Sequence, residues 1–259
     1  MKKTLLFFTV FCLFTLKFYG QTVEYYSENG RLILSSVGNE YKLIIFDSNY
    51  EIIDNQHGLV TYQNDSYGNK IMICVSDSNE THKYRYYQFD DFIFLYENSE
   101  IPFFIGNSES SRLLESLISV DITSSSYLSE KTKVYKADKL SYWGNLNYVW
   151  AEGQSDCGEG EKLFTDKVCF KTLYILPGYV SVKRPDLYKK NCRPKKIKIK
   201  TSTKSYSFEL EDIPEFQKLS FPEVVNDKIE IEILEVYKGS DYEDLCISSI
   251  LFRKGNLDE

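Results

Sequence analysis

Hydrophobic and polar residues alternate with a period of two along the C-terminal stretch from Tyr188 to Phe252. The alternating sets are Ile197 and Ile199 among Lys196, Lys198 and Lys200; Tyr206, Phe208 and Leu210 around Ser207 and Glu209; and Ile229, Ile231 and Ile233 around Glu230 and Glu232. This period gives each short strand one buried and one solvated face. With the apolar run that ends at Phe252, the pattern predicts four strands. Turn-forming residues at 201–204, 212–214, 222–227 and 238–244 favour consecutive antiparallel pairing.

The N-terminal part, from Val23 to Gly106, contains short runs of β-branched and aromatic residues separated by Asn, Asp, Gly and Ser. Strand-forming runs spaced about ten residues apart predict a small antiparallel barrel or sandwich. The composition changes after this part. We therefore predict an N-terminal β domain at 21–107, a connector at 108–118, a C-terminal domain at 119–254 and a tail at 255–259.

The first twenty residues have the form of a secretory signal peptide. Met1-Lys2-Lys3 precedes an uncharged run from Leu5 to Leu16, and Gly20 offers a small residue at the cleavage point. The apolar run is shorter than the roughly 20 residues that a membrane-spanning helix needs. These features predict residues 1–20 as a signal peptide and an exported protein without a transmembrane segment. The predicted location is secreted, periplasmic or at the cell surface.

The charge balance is acidic. The chain has a formal net charge of −7, and removal of Lys2, Lys3 and Lys17 with the signal peptide leaves 28 basic against 38 acidic residues, which gives −10. Such a balance argues against general binding to nucleic acid or to an anionic membrane.

Five cysteines follow the predicted signal peptide, and an exported chain meets an oxidising compartment. Cys157 and Cys169 are candidates for one disulfide, and Cys192 and Cys246 for another, while Cys74 lies in an apolar run and is expected to be unpaired. A buried thiol is the alternative for each. We predict no metal site of the zinc type, because the chain has no C-x-x-C motif and His57 and His82 lie far from the cysteines in sequence.

Catalytic motifs are missing from the sequence. No G-x-S-x-G, G-x-x-x-x-G-K-[ST] or G-x-G-x-x-G motif occurs. Carboxylates at Glu152, Glu159, Glu161, Asp241 and Asp244 leave a hydrolase open, since a glycosidase needs two carboxylates about 5–9.5 Å apart. Turn and rim positions are the simpler interpretation of these acids.

Five short motifs occur in order between Ser119 and Lys254. They are Y-V-W-A-E-G from Tyr148, G-E-G-E from Gly158, P-G-Y from Pro177, K-N-C-R-P-K-K-I from Lys190, and E-D-I-P-E-F-Q-K-L-S-F-P through V-Y-K-G-S-D-Y-E-D-L-C-I-S. Their order resembles the NADase-type glycan-binding domain, a discoidin-like (F5/8 type C-like) jelly roll found in NAD glycohydrolase toxins. The resemblance implies an all-β protein whose C-terminal half is a jelly-roll β-sandwich.

The same resemblance implies glycan binding through loops at one end of the sandwich. It implies no catalysis, because the toxins carry their NAD glycohydrolase activity in a separate domain. Aromatic rings contact the apolar face of a sugar, and carboxylate, amide and guanidinium groups bind its hydroxyls. The candidate ligand-binding residues in the matching segments are Trp150, Glu152, Glu159, Tyr179, Tyr188, Asn191, Arg193, Tyr237, Tyr242 and Asp244. Core packing for Trp150, and turn hydrogen bonds for Asn191 and Arg193, are the structural alternatives.

A basic run extends from Lys183 to Lys200, with nine positive charges and one acid, Asp186. We expect the strand lysines to face glutamates on neighbouring strands, each pair contributing about 0.2–1 kcal/mol. The alternative is a patch for acidic glycans around Lys189, Lys190 and Arg193. Nucleic acid is disfavoured because no stacking aromatics alternate with the strand lysines.

We therefore predict an exported, non-catalytic carbohydrate-binding protein whose ligands are glycans, including acidic ones. A structural or adaptor role at the cell surface is the main alternative, and an exposed face containing Tyr25, Tyr26, Tyr84, Tyr86 and Tyr87 would favour it. An unrecognised hydrolase is the third possibility. No cofactor is expected, although discoidin-like folds in some cases hold an ion near a loop, which leaves a structural calcium ion near Asp241 to Asp244 open.

Overall fold

The computed structural model describes residues 22–27, 30–35, 39–90, 92–103, 106–107, 117–154 and 156–255. The predicted signal peptide, residues 108–116 of the predicted connector and the tail from 256 lie outside the described residues. Within the described residues, no helix is long and apolar enough to cross a membrane.

Among the described residues, eight antiparallel strands form the N-terminal unit. They are β1 (Thr22–Ser27), β2 (Gly30–Ser35), β3 (Glu40–Phe46), β4 (Ile52–Asn64), β5 (Lys70–Ser76), β6 (Thr81–Phe89), β7 (Phe92–Tyr96) and β8 (Gly106–Asn107). Strands β1 to β6 each pair with the next strand in sequence, and β8 pairs with β1 on its free side. The unit is therefore a single meandering sheet, built from the short strands that the turn spacing predicts.

The N-terminal sheet encloses its own core on one face. Leu32 of β2, Val60 of β4, Met72 of β5 and Leu95 of β7 belong to one buried cluster. Strand β8, which pairs with β1 at one end of the sheet, also lies close to β7 at the other end, so the sheet curls around these side chains. Tyr84 belongs to the same cluster, and Tyr87 is buried against the C-terminal unit, so these two tyrosines do not contribute to an exposed adaptor face.

In the part of the C-terminal unit that the structure describes, there are ten strands and two short helices. The strands are β9 (Leu117–Ile118), β10 (Ile122–Ser124), β11 (Trp150–Ala151), β12 (Lys162–Thr165), β13 (Val168–Pro177), β14 (Arg193–Lys200), β15 (Ser205–Glu209), β16 (Gln217–Asp227), β17 (Glu230–Tyr237) and β18 (Cys246–Lys254). A 3-10 helix spans Leu146–Tyr148, and helix α1 spans Leu187–Lys190.

These strands form two five-stranded sheets, in the orders β10-β12-β17-β14-β15 and β11-β18-β13-β16, with β9 beside β18. Ile197 and Ile231 of the first sheet share a buried cluster with Leu173, Ile250 and Phe252 of the second. The inner faces of the two sheets therefore form the core of a β-sandwich. The predicted all-β class is confirmed.

Consecutive pairing of the C-terminal strands is wrong except for β14 and β15. β17 pairs with β14, while β16 and β18 lie in the opposite sheet. β16 also continues through Pro222, where the sequence suggested a turn; it is an edge strand, which tolerates a proline. A sandwich needs connections that cross between its sheets to cover both apolar faces, and local turn residues do not distinguish a crossing from a hairpin.

The two units share a buried aromatic interface. β7 is buried on both faces: Ile93 and Leu95 face the N-terminal core, and Phe94 and Tyr96 pack against the sandwich. Phe216 contacts this surface from the sandwich, and the ring centroids of Phe216 and Phe94 are 5.6 Å apart. The N-terminal sheet thus covers part of the outer face of the β11-β18-β13-β16 sheet.

Candidate functional site

The two ends of the sandwich differ in construction. One end, here called the loop end, consists of segments 125–135, 150–154, 156–162, 177–193, 210–217 and 237–246. At this end Cys192 and Cys246 connect the two sheets through backbone hydrogen bonds. The other end, the hairpin end, contains the turns before β13, β15 and β17. All ten residues predicted to bind ligand lie at the loop end.

Arg193 is the structural centre of the loop end. It is 4% exposed, and its guanidinium donates to both carboxylate oxygens of Asp212 at 2.8 and 3.2 Å. It also donates to the carbonyl oxygens of Tyr188, at 3.3 Å, and of Asn191, at 2.6 Å. Because these bonds join α1, β14 and the 210–217 segment, Arg193 orders the loops and has little remaining capacity for a ligand.

Three other predicted residues are buried and support the scaffold. Trp150 lies in the sandwich core and donates its indole N–H to the carbonyl oxygen of Ser126 at 3.0 Å. Tyr188 packs in the aromatic interface, and the amide of Asn191 donates to the carbonyl oxygen of Leu187 at 2.8 Å. These positions match the structural alternatives, and direct ligand contacts for the three residues remain predictions.

Glu152 is a buried carboxyl group with incomplete hydrogen bonding. The residue is fully buried, Oε2 accepts from the backbone N–H of Gln154, and Oε1 has no partner. Burial raises the pKa of Glu152 to about 7, and the nearby charges of Asp156 and Glu161 add to the shift. A fully buried carboxyl cannot reach a substrate in this conformation, so its position gives the hydrolase hypothesis no support.

The remaining predicted residues reach the surface. Glu159 and Tyr242 are exposed, whereas Tyr179, Tyr237 and Asp244 are half-buried. The hydroxyl of Tyr237 donates to the carbonyl oxygen of Leu210 at 2.9 Å. Burial raises the pKa of Asp244, as does the charge of Glu130 nearby. The loop end therefore exposes both aromatic and carboxylate groups.

A lysine between two tyrosines lies beside these residues and was not predicted. Lys133 Nζ is 4.6 Å from the ring centroid of Tyr135 and 5.7 Å from that of Tyr179, and it lies 3.3 Å from the Tyr179 hydroxyl oxygen. Partial burial lowers the pKa of Lys133. Glu130 accepts from the Tyr135 hydroxyl at 3.2 Å. We call Glu130, Lys133, Tyr135 and Tyr179 the tyrosine–lysine cluster.

Most of the cluster lies on a short hairpin, which the hydrophobic pattern of the sequence did not predict. Ser129 and Val134 form an isolated bridge, and Glu130 and Lys133 are joined by a turn hydrogen bond of 2.9 Å. The alternation of Lys131, Lys133 and Tyr135 is a sequence signal for this hairpin. Contact with Tyr179, which is 44 residues further along the chain, depends on the tertiary fold.

Acidic partners neutralise the basic run. On the outer face of the first sheet, Lys200 Nζ lies 2.9 Å from Glu230 and 2.7 Å from Glu232, and Lys198 lies 3.7 Å from Glu232. On the loops, Lys189 pairs with Asp212 at 2.8 Å. Lys190 pairs with Asp186 at 3.3 Å and with Asp241 at 3.2 Å. The strand lysines thus face glutamates as expected, and the loop lysines do not form an uncompensated positive patch.

The hairpin end contains an open cleft of about 530 Å³. Asp121, Phe164, Lys200 and Glu230 are among its lining residues. Lys200 is paired with two glutamates, and the cleft is remote from every residue predicted to bind ligand. The aromatic residues and carboxylates of the loop end make it the stronger candidate, although this cleft lies at the other end.

All five cysteines among the described residues are free thiols. The Cys169 sulfur is 3.6 Å from the carbonyl oxygen of Gly255, and the Cys246 sulfur is 3.7 Å from that of Asp244. Burial raises the pKa of Cys192 to about 12, and a hydrogen bond with Cys157 contributes. Cys192 is therefore next to Cys157, and the predicted pairings Cys157–Cys169 and Cys192–Cys246 remain predictions.

The described residues contain no group of three or more His, Cys, Asp or Glu side chains suited to hold a metal ion. Asp241 is engaged by Lys190 at 3.2 Å. The residues near Asp241 to Asp244 do not fit the calcium ion that the resemblance left open.

Solved structures with a similar chain path include three carbohydrate-binding modules from Clostridium perfringens. CBM32-3 of a family 31 glycoside hydrolase has a TM-score of 0.43 and 12% identity, covering 55% of this chain and 97% of that one. The family 32 module of NanJ, solved with galactose, has a TM-score of 0.38 and 14% identity, covering 53% and 97%. CpGH89CBM32-5, solved with GalNAc-β-1,3-galactose, has a TM-score of 0.39 and 13% identity, covering 52% and 95%.

The mycobacterial arabinofuranosyltransferase AftD is also similar, with a TM-score of 0.37 and 11% identity. The match covers 54% of this chain and only 11% of AftD. No curated protein sequence matches the chain.

One family model matches residues 115–253, which include the loop end and all of the sandwich except the last residue of β18. The resemblance inferred from the ordered motifs at 119–254 is confirmed by this match. The chain belongs to the family of the NAD glycohydrolase translocation F5/8 type C domain.

Proposed function

We propose that this protein is an exported, non-catalytic carbohydrate-binding protein that binds glycans at the loop end of its C-terminal sandwich. The observation that supports this most is the tyrosine–lysine cluster, in which two aromatic rings, an ammonium group and a carboxylate meet at the rim of the sandwich. Aromatic rings with a few fixed polar groups are the chemistry of a sugar site. Family membership and the chemistry of the predicted loop residues point to the same end.

Neutral glycans are the ligands that the charge distribution favours. Lys189, Lys190 and Arg193, the three residues considered for acidic sugars, are paired with Asp186, Asp212 and Asp241. Binding of a sulfate or uronate there requires breaking these ion pairs. A neutral sugar instead uses Tyr179 and Tyr242 as apolar contacts and the carboxylates of Glu130 and Asp244 as hydrogen-bond acceptors.

The test is a glycan array with neutral and sulfated sugars, followed by titration of the best ligand at low and moderate salt. We expect the best ligand to be neutral. Its affinity should change little with salt, because salt weakens interactions between exposed charges and a neutral sugar carries no charge. The variants Tyr179→Ala and Tyr242→Ala should each weaken binding by about 10-fold, as expected for loss of one aromatic contact.

Tyr67→Ala is the matched control, because Tyr67 is as exposed as Tyr242, at 45%, but belongs to a turn of the N-terminal sheet. It should bind like the wild type. A flat array, or an equal loss of affinity in all three variants, contradicts the proposal.

A further inference from the structure

The loop that carries Tyr179 contacts the N-terminal sheet. This loop, residues 178–186, joins β13 to α1 and has no regular secondary structure. Val180 is buried in the aromatic interface, and Ser181 is 7% exposed. Buried backbone groups outside helices and sheets need other hydrogen-bond partners. The partners of this loop therefore show what holds it in place.

Glu100, which follows β7, is the hydrogen-bond partner of three groups in this loop. Its carboxylate accepts from the Ser181 hydroxyl at 2.8 Å and from the backbone N–H groups of Val182 at 2.9 Å and Lys183 at 3.3 Å. The Ser181 hydroxyl also accepts from the backbone N–H of Arg184 at 3.0 Å. One carboxylate of the N-terminal unit thus fixes four consecutive residues of the loop, directly or through Ser181.

Arg85 of β6 holds the same loop from the carbonyl side. Its guanidinium, 5% exposed, donates to the carbonyl oxygen of Ser181 at 2.8 Å and to the side-chain oxygen of Asn69. Asn69 is fixed in turn by Asp65, which accepts from its side-chain amide at 2.8 Å. The Ser181 hydroxyl, which donates to Glu100, and the Ser181 carbonyl oxygen, which accepts from Arg85, are therefore both bonded to the N-terminal unit.

The sandwich itself anchors the beginning of the loop. Gly178 N–H donates to the carbonyl oxygen of Cys246 at 2.9 Å, and Val180 N–H donates to the Ser248 hydroxyl at 2.7 Å. Tyr179 lies between these two anchored residues, and the N-terminal contacts begin two residues later. The sandwich therefore holds the backbone at Gly178 and Val180, and the N-terminal unit fixes the residues that follow.

We propose that the N-terminal β unit positions the ligand-binding loop, with Glu100 and Arg85 as positioning residues for Tyr179 and its neighbours. This role rests on the proposed glycan site at the loop end. Ordering a loop before binding lowers the entropic cost of binding. The N-terminal sheet thereby raises affinity without contacting the ligand.

The test compares Glu100→Gln with the wild-type full chain. The amide nitrogen of glutamine cannot accept a hydrogen bond, so at least one of the loop donors loses its partner. We expect amide hydrogen exchange at Val182 and Lys183, measured by NMR, to become about 10-fold faster. The affinity for the best glycan should fall about 3- to 10-fold, with a less favourable binding entropy.

Glu97→Gln is the control, because it removes the same charge three residues earlier on a side chain that bonds to His82 at 3.0 Å and not to the loop. It should leave exchange and affinity unchanged. If Glu100→Gln fails to fold, Glu100→Asp is compared with the wild type instead. Because Asp keeps the carboxylate on a shorter side chain, its exchange at Val182 and Lys183 should be faster, and its glycan affinity lower, than in the wild type, by smaller factors than those expected for Glu100→Gln.

The two proposals fail in different ways. Unchanged exchange at Val182 and Lys183 in Glu100→Gln overturns the positioning role, whether or not any glycan binds. Faster exchange with unchanged glycan affinity also overturns it. If the wild type binds no glycan but exchange at Val182 and Lys183 is faster in Glu100→Gln, the glycan site is contradicted. Glu100 then orders a loop that has another function.

Discussion

Arg193 and Glu152 show two opposite ways of burying an ionisable group at the loop end. The Arg193 guanidinium is paired with Asp212 and with backbone carbonyl groups. Burial opposes ionisation of Asp212, but the hydrogen bonds from Arg193 and Lys189 keep its pKa below the ordinary value. Glu152 has a single hydrogen bond to its carboxylate and one oxygen without a partner. The first residue stabilises the loops in its charged form, whereas the second is easier to bury when protonated.

Replacement of Arg193 by Met should destabilise the protein by about 3 kcal/mol, because it leaves the Asp212 carboxylate without its main partner. Urea denaturation measures the change in the free energy of unfolding. Lys195→Met, which removes an exposed ion pair with Glu235, is the control and should have a small effect. A loss for Arg193→Met as small as that of the control contradicts the structural role.

Glu152 should make stability depend on pH. Its folded pKa, about 7, lies above the ordinary value of 4.5, so the folded state holds a proton that the unfolded state releases between these values. The contribution of this group is therefore fully present below about pH 4.5, and it is lost as the pH rises through about 7.

Glu152→Gln should remove this dependence and stabilise the protein above pH 7, on the order of 2 kcal/mol relative to the wild type. Denaturation of both proteins at pH 5 and pH 8 measures the difference. An equal difference at the two pH values contradicts a raised pKa for Glu152.

Among the elements, β7 joins the two halves of the chain. Its uninterrupted apolar sequence, Phe92–Tyr96, is explained by burial on both faces. Phe94 packs against Phe216 of the sandwich, and its ring lies close to Gly144. An interface of this kind resembles a core more than a contact between independent domains.

Phe94→Ala should cost about 3–5 kcal/mol, the usual loss for a buried phenylalanine. The wild type should unfold in one transition when followed by far-UV circular dichroism and by tyrosine fluorescence. Separate transitions for the two halves would show that the interface does not couple them.

Helix α1 carries the loop lysines of the basic run, and their ion pairs predict the effect of removing them. Lys189→Ala and Lys190→Ala should leave glycan affinity unchanged, because Asp212 and the pair Asp186 and Asp241 already neutralise these charges. Titration of the best glycan is the measurement. A large, salt-dependent loss would favour an acidic ligand.

For the whole molecule, the sequence predicts what depends on local pattern and fails where distant segments meet. The period-two alternation locates β14, β15 and β17, and the ordered motifs place all ten candidate residues at one end. Local pattern cannot show that β17 pairs with β14, that Trp150 and Arg193 face inward, or that Lys133 meets Tyr179. It also cannot show that Glu100 holds the 178–186 loop, since 81 residues separate Glu100 from Ser181.

NMR chemical-shift mapping with the best glycan shows whether the sandwich binds carbohydrate at its loop end. We predict shifts concentrated at residues 130–135, 178–184 and 242–244, with no change around the hairpin-end cleft. Shifts concentrated around Asp121, Phe164 and Lys200 instead, or no shifts at saturating glycan, would contradict carbohydrate binding at the loop end.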